Sequence, residues 1–110
     1  MIYSTTDSIP GKDIGEIVGV VTGNVVQAKH VGRDLMAGLK SIVGGEIRGY
    51  TEMLTEARDT AVQRLVANAH AKGADALVGI RFTTSSIMTG SSEIMVFGTA
   101  VKFKSTKDLQ

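Results

Sequence analysis

From Tyr50 to Phe82 the chain reads YTEMLTEARDTAVQRLVANAHAKGADALVGIRF, which is one long amphipathic helix, a glycine stop and a strand in direct succession. Tyr50, Leu54, Ala57, Ala61 and Leu65 recur at helical spacing, and Met53, Val62, Val66 and Ala69 widen the apolar stripe. Glu52, Glu56, Asp59, Gln63 and Arg64 fall away from that line and define a solvated face. Lys72 gives a basic last turn, and Gly73 is the residue type that enters the left-handed region most cheaply, so the helix is expected to stop there. Ala74 to Phe82 follows as a strand. At 1.5 Å per residue a helix of roughly 22 residues is about 33 Å long, enough to cross a whole sheet.

Working outward toward the N-terminus, Ile2 to Thr6 reads as a short first strand, and Asp7 to Gly11 as a turn around the only proline. Asp13 to Ala28 is a long strand rich in Val and Ile. Gly11, Gly15, Gly19 and Gly23 fall four apart, on one side of a period-two strand, where a bend, a bulge or a helix lying close on the backbone is expected. Val31, Leu35, Leu39 and Ile42 form the stripe of a short helix ended by Gly44 and Gly45.

Toward the C-terminus, Ala76, Val78, Ile80 and Phe82 form the buried face of a strand that extends to Ser85, and Thr84 to Ser92 reads as a polar connection. Glu93 to Lys104 alternates again. Met95, Phe97, Val101 and Phe103 lie on one side, and Ile94, Val96, Gly98 and Ala100 on the other. The expected fold is a single α+β domain over residues 1–104, in the order β-β-α-α-β-β, with a frayed tail at residues 105–110. An antiparallel sheet with helices on one side leaves its other face wet. A last strand apolar on both faces therefore calls for cover by another copy of the chain, and a homo-oligomer is expected.

Composition narrows the function classes. The chain has 110 residues, 43% hydrophobic but only 5% aromatic, and no Trp, so its core must be built of Val, Ile, Leu, Ala and Met. Twelve Lys and Arg against eleven Asp and Glu leave no electrostatic footprint for nucleic acid. The absence of cysteine excludes a disulfide framework, a thiolate zinc site and a cysteine nucleophile. No apolar stretch is long enough to span a bilayer and no export signal opens the chain, so a soluble cytoplasmic protein is expected, with no membrane partner.

His30 and His70 are the only histidines and are the metal candidates. They lie far apart in sequence and share no ligand spacing, and His70 in a last helical turn also has a structural reading, because the helix dipole favours a cation there. The five methionines are scattered and read as core filling. Arg33, Asp34, Arg58 and Asp75 are the ligand-binding candidates, and a structural ion-pair network is the plainer account of the same residues. No nucleophile and base can be paired, and Gly44 to Gly49 lacks the lysine of a phosphate loop. Enzymatic activity is not expected.

Several short runs, taken in order, resemble the YbjQ-like family of small bacterial proteins: Gly19-Val20-Val21-Thr22-Gly23, Arg33-Asp34 with Gly38, Ile42-Val43-Gly44-Gly45, Tyr50, Glu56-Ala57-Arg58, Gly73 to Ile80, and Gly98-Thr99-Ala100-Val101. The resemblance spans Tyr3 to Lys102. It implies an α+β subunit with a curved, mainly antiparallel sheet, assembled as a ring of five copies. The family has no settled function and carries a heavy-metal-binding label, which leaves a divalent metal ion as the one cofactor class in play. A metal ion or small ligand would then sit at subunit boundaries; the alternative is a structural or interaction module with no ligand.

Overall fold

The computed structural model describes residues 1–27 and 48–105, with residues 48–50 described by their backbone alone. Strands β1 (Ile2–Tyr3) and β2 (Ile14–Gln27), helix α1 (Arg48–Ala71), and strands β3 (Ala76–Met88) and β4 (Ser91–Phe103) follow one another. The four strands form one open sheet in the order β1-β3-β4-β2, so the α+β class holds. The sheet is mixed but mainly antiparallel, as expected, its one parallel pairing being short. β2 and β3 each pair antiparallel with β4, but β1 runs parallel to β3, with Ile2 opposite Ala76 and Tyr3 opposite Leu77. The short helix expected over Val31 to Ile42, and with it the double-helix order, lies outside the described residues, as do residues 106–110.

Helix α1 buries the stripe that its spacing predicts. Ala57, Ala61, Leu65 and Ala69 are all buried against Val21 of β2, Leu77 and Ile80 of β3 and Ile94, Val96 and Ala100 of β4. Leu54, an expected member, is 38% exposed, so the tight contact runs from Ala57 onward. Three of the four central helix residues are alanines, which lets the helix sit low on the sheet. At Gly23 it sits so low that a β-carbon would overlap the Ala61 carbonyl oxygen and the Leu65 nitrogen. The helix ends where Gly73 adopts φ 78°. Gly73 donates its N–H to the His70 carbonyl at 2.9 Å and Ala74 donates to the Ala69 carbonyl at 3.1 Å, the paired bonds of a Schellman turn.

Two bulges decide which side chains face the helix. β2 shifts register between Ile17 and Gly19, and β3 between Val78 and Arg81, with Gly79 at φ 60°. The extra residue in β3 reverses the alternation. Leu77 and Ile80 both point to the helix, whereas Ala76 and Val78 point to the opposite face and pack with Ile9 and Val101. The expected single buried face through Ala76, Val78, Ile80 and Phe82 is thereby split between the two sides, and Phe82 is 48% exposed. Likewise the β2 glycines do not share one environment, since Gly23 is pressed by the helix while nothing lies within 4 Å of a β-carbon at Gly19.

The polar stretch Thr84 to Ser92 is strand rather than connection. β3 continues to Met88, the chain turns at Gly90 with φ 78°, and β4 begins at Ser91 opposite Met88. Residues 81–88 of β3 are all exposed; their Thr, Ser and Ile side chains suit an extended backbone although they bury nothing. The described structure is accordingly elongated, with a radius of gyration of 18.1 Å against about 13 Å for a compact chain of this size.

Candidate functional site

The turn that ends α1 delivers Asp75 to the mouth of β3. Its N–H donates to the Val101 carbonyl at 2.8 Å, and its Oδ2 accepts the Phe103 N–H at 2.9 Å. The carboxylate thus extends the β3–β4 ladder by one rung. Arg58 is exposed on the outer face of α1, where its Nε donates to the Leu54 carbonyl at 3.3 Å. From Arg58 to the end of the helix is roughly 20 Å at 1.5 Å per residue, so Arg58 and Asp75 do not meet within one subunit. His70 is exposed in the last helical turn. His30, Arg33 and Asp34 lie outside the described residues. Among the described residues, no three His, Cys, Asp or Glu side chains are grouped so as to hold a metal ion.

Other polar side chains carry more of the architecture than the sequence reading gave them. Asn68 donates through Nδ2 to the Thr22 carbonyl at 2.7 Å, and Arg64 through Nη1 to the Asn24 carbonyl at 2.7 Å. Both acceptors lie on the outer edge of β2. Arg64 and Asn68 are one helical turn apart and flank the buried Leu65, a spacing that places them along one border of the contact stripe. Arg81 donates through Nη1 to the Thr5 and Ile80 carbonyls at 2.9 and 2.8 Å, tying the N-terminal segment to β3. Asn24 also donates to Glu93 Oε2 at 3.0 Å across β2 and β4.

The sheet has a second face, turned away from α1. At one end Ile9, Ala76, Val78 and Val101 bury one another, with Ile14 and Phe103 packed alongside and the Lys12 ammonium 5.6 Å from the centre of the Phe103 ring. Beyond that end no cluster of described residues covers the face. Ile17, Val20 and Val26 of β2 are 71%, 69% and 57% exposed, and Met95 and Phe97 of β4 are half-buried. No helix of the described residues is long and apolar enough to cross a membrane.

Comparison with known proteins places this chain among small bacterial proteins of similar length. A UPF0145 protein of Colwellia psychrerythraea is 86% identical over 104 residues, covering 94% of this chain and 99% of the relative. Another, of Vibrio parahaemolyticus, is 79% identical and covers 93% and 97%, and one of Thermotoga maritima is 54% identical and covers 94% and 98%. The crystal structure of a protein of unknown function from Pediococcus pentosaceus, assigned to the DUF74 family, shares the fold. It has a TM-score of 0.58 at 18% identity and covers 94% of this chain and 98% of the other. The sequence model of the YbjQ family, described as "Putative heavy-metal-binding", matches residues 1–104, and with these relatives it shows that the chain belongs to that family.

Proposed function

We propose that this chain is the subunit of a homo-oligomer that holds a divalent metal ion in sites completed between subunits. The observation that carries the assembly is the uncovered sheet face. Ile17 and Val20 are 71% and 69% exposed on the face that also carries half-buried Met95 and Phe97 among Thr22, Asn24 and Thr99, and exposed large apolar side chains on one sheet face suit an interaction surface. Burying it against another copy completes the layer that one chain leaves open. The ring of five that the family resemblance implies repeats each boundary and turns one weak pair of ligands into several equivalent sites. The metal reading rests on the family description and on His70, which is exposed at the end of α1, with His30 and the carboxylates of Asp and Glu as partners across the boundary. Without cysteine the donor set suits hard or borderline ions rather than soft ones. We assign the chain no catalytic role and place it in the reducing cytoplasm that a cysteine-free chain suits.

A second reading, an assembly or interaction module without a ligand, is favoured by one observation. The side chains of Arg58, Arg64, Asn68, Asp75 and Arg81 already bond to main-chain groups of the same subunit. Titration calorimetry with zinc, copper and cadmium, on the wild type and on His30→Ala and His70→Ala, decides between the two. Zinc or copper binding that weakens in either variant and at lower pH supports the metal reading, because a ligating imidazole must be neutral. No heat with any ion supports the module, tight cadmium binding untouched by both substitutions overturns the ligand choice, and a monomer by light scattering at micromolar concentration overturns both readings.

A further inference from the structure

The N-terminal segment lies along β3 and is fixed at few points. Ile2 stands opposite Ala76 and Tyr3 opposite Leu77, and Ser4 donates its N–H to the Leu77 carbonyl at 3.0 Å. Past that point successive residues of the β3 bulge take successive carbonyls of the segment. The Gly79 N–H donates to the Thr6 carbonyl at 2.8 Å, the Ile80 N–H to the Ser4 carbonyl at 3.1 Å, and Arg81 Nη1 to the Thr5 carbonyl at 2.9 Å. Arg81 Nη1 also donates to the Ile80 carbonyl at 2.8 Å, which holds the guanidinium against the bulge. In a regular strand neighbouring N–H groups point to opposite edges. Here Gly79, at φ 60°, turns its own N–H and that of Ile80 to the same side.

Little apolar burial backs these bonds. Met1, Ile2 and Tyr3 are close to half exposed, and Ile9 is the only buried residue of positions 1–12, packed with Ala76, Val78 and Val101. The segment also carries bonds of its own. Ser4 Oγ accepts the Thr6 N–H at 3.1 Å, Thr6 Oγ1 donates to the Ser8 carbonyl at 2.6 Å, and Lys12 donates its N–H to the Ile9 carbonyl at 3.1 Å. Such bonds persist when the segment leaves β3. Behind it Gly11 has φ 80° and open space around an added β-carbon. The next fixed point is the Asp13 carbonyl, which accepts the Lys104 N–H at 2.8 Å.

A segment with few buried apolar contacts and exposed backbone hydrogen bonds opens at a lower free energy than the core. We infer that residues 1–10 form a strap that opens as one unit about Gly11, ahead of the rest of the sheet, with Arg81 as its latch. Opening frees the Gly79 and Ile80 amides together and uncovers Val78 and Val101, which Ile9 helps to bury. The inference is independent of the metal and assembly readings.

Amide hydrogen exchange of the full chain tests it. The Ser4, Gly79 and Ile80 amides should share one degree of protection and exchange roughly tenfold or more faster than the Leu65 amide in the middle of α1. Arg81→Ala should speed all three by about tenfold more, the scale of one hydrogen bond from a charged donor, and leave Leu65 unchanged. Arg64→Ala, which removes an arginine bond at the opposite edge of the sheet, should not speed them. Exchange of the three as slow as that of Leu65 overturns the strap, and unlike protection among them overturns its opening as a unit. Rates unmoved by Arg81→Ala, or raised as much by Arg64→Ala, overturn the latch. If Arg81→Ala fails to fold, Arg81 serves the whole sheet and the latch is likewise overturned, while the wild-type rates still decide the strap.

Discussion

Gly23 lies against the backbone of Leu65, so closely that the helix axis is set by the missing side chain. The obstructing atoms are main-chain atoms of α1 and cannot rotate aside. Gly23→Ala must therefore lift the helix from β2, and we expect a loss of about 1–3 kcal/mol, the usual range for overpacking. At Gly15 the nearest atom to an added β-carbon is Cγ of the Lys104 side chain, at 2.9 Å, so Gly15→Ala should cost less. Urea denaturation of the two variants side by side checks the order; equal midpoints would remove the helix from the explanation.

At Gly79 the backbone itself is the constraint. Its φ of 60° costs an ordinary residue about 1–2 kcal/mol, and it sits in the bulge that sends Val78 and Ile80 to opposite faces. Gly79→Ala should lower the thermal midpoint, and deletion of Gly79 should do more harm, because it reverses the facing of every β3 residue on one side of the gap.

Asp75 tests whether a candidate ligand is structural. Asp75→Ala removes the acceptor of the Phe103 N–H and should cost about 0.5–1.5 kcal/mol, the net worth of one such bond. Asp75→Asn keeps a carbonyl oxygen in the same place and should retain most of it. A large loss of metal binding with unchanged stability would instead make Asp75 a ligand.

Removing the guards of the β2 edge should change association more than stability. Arg64→Ala with Asn68→Ala frees the Thr22 and Asn24 carbonyls on exposed strand, leaving a template for another chain. We expect a small change in denaturation midpoint and a marked rise in scattering with time at high concentration. A double variant that stays as clear as the wild type would show that the two side chains are not guards.

The elements legible in the sequence were those whose residues all serve one purpose. The helix from Arg48 to Ala71 and its stop at Gly73 follow from spacing and one glycine, and β2 and β4 appear within a residue or two of their expected bounds. What the spacing could not show was parity. A bulge is a one-residue event at Gly79, and reading Ala76, Val78, Ile80 and Phe82 as one face assumed there was none. Thr84 to Ser92 reads as a connection because residues 84–90 are exposed, and apolar alternation reports burial rather than extension. The polar candidates fared similarly. Arg58 and Asp75 are grouped by residue type, but a helix stretching roughly 20 Å between them separates them, whereas Arg64 reads as part of the solvated face and Asn68 stands in no motif, although their targets are carbonyls on a strand far away in sequence.

The strand order β1-β3-β4-β2 puts the last strand of the chain in the middle of the sheet. Among the described residues β2 has β4 as its only strand partner, with Gln27 opposite Ser92 and Ile14 opposite Phe103. A ribosome making this protein therefore releases a long Val- and Ile-rich segment well before its partner exists, and α1 emerges with only half of its floor. Closure of so distant a pair is slow, so the sheet is completed only once β4 has emerged, and a copy truncated before Ser91 would leave β2 as an unpaired, aggregation-prone segment.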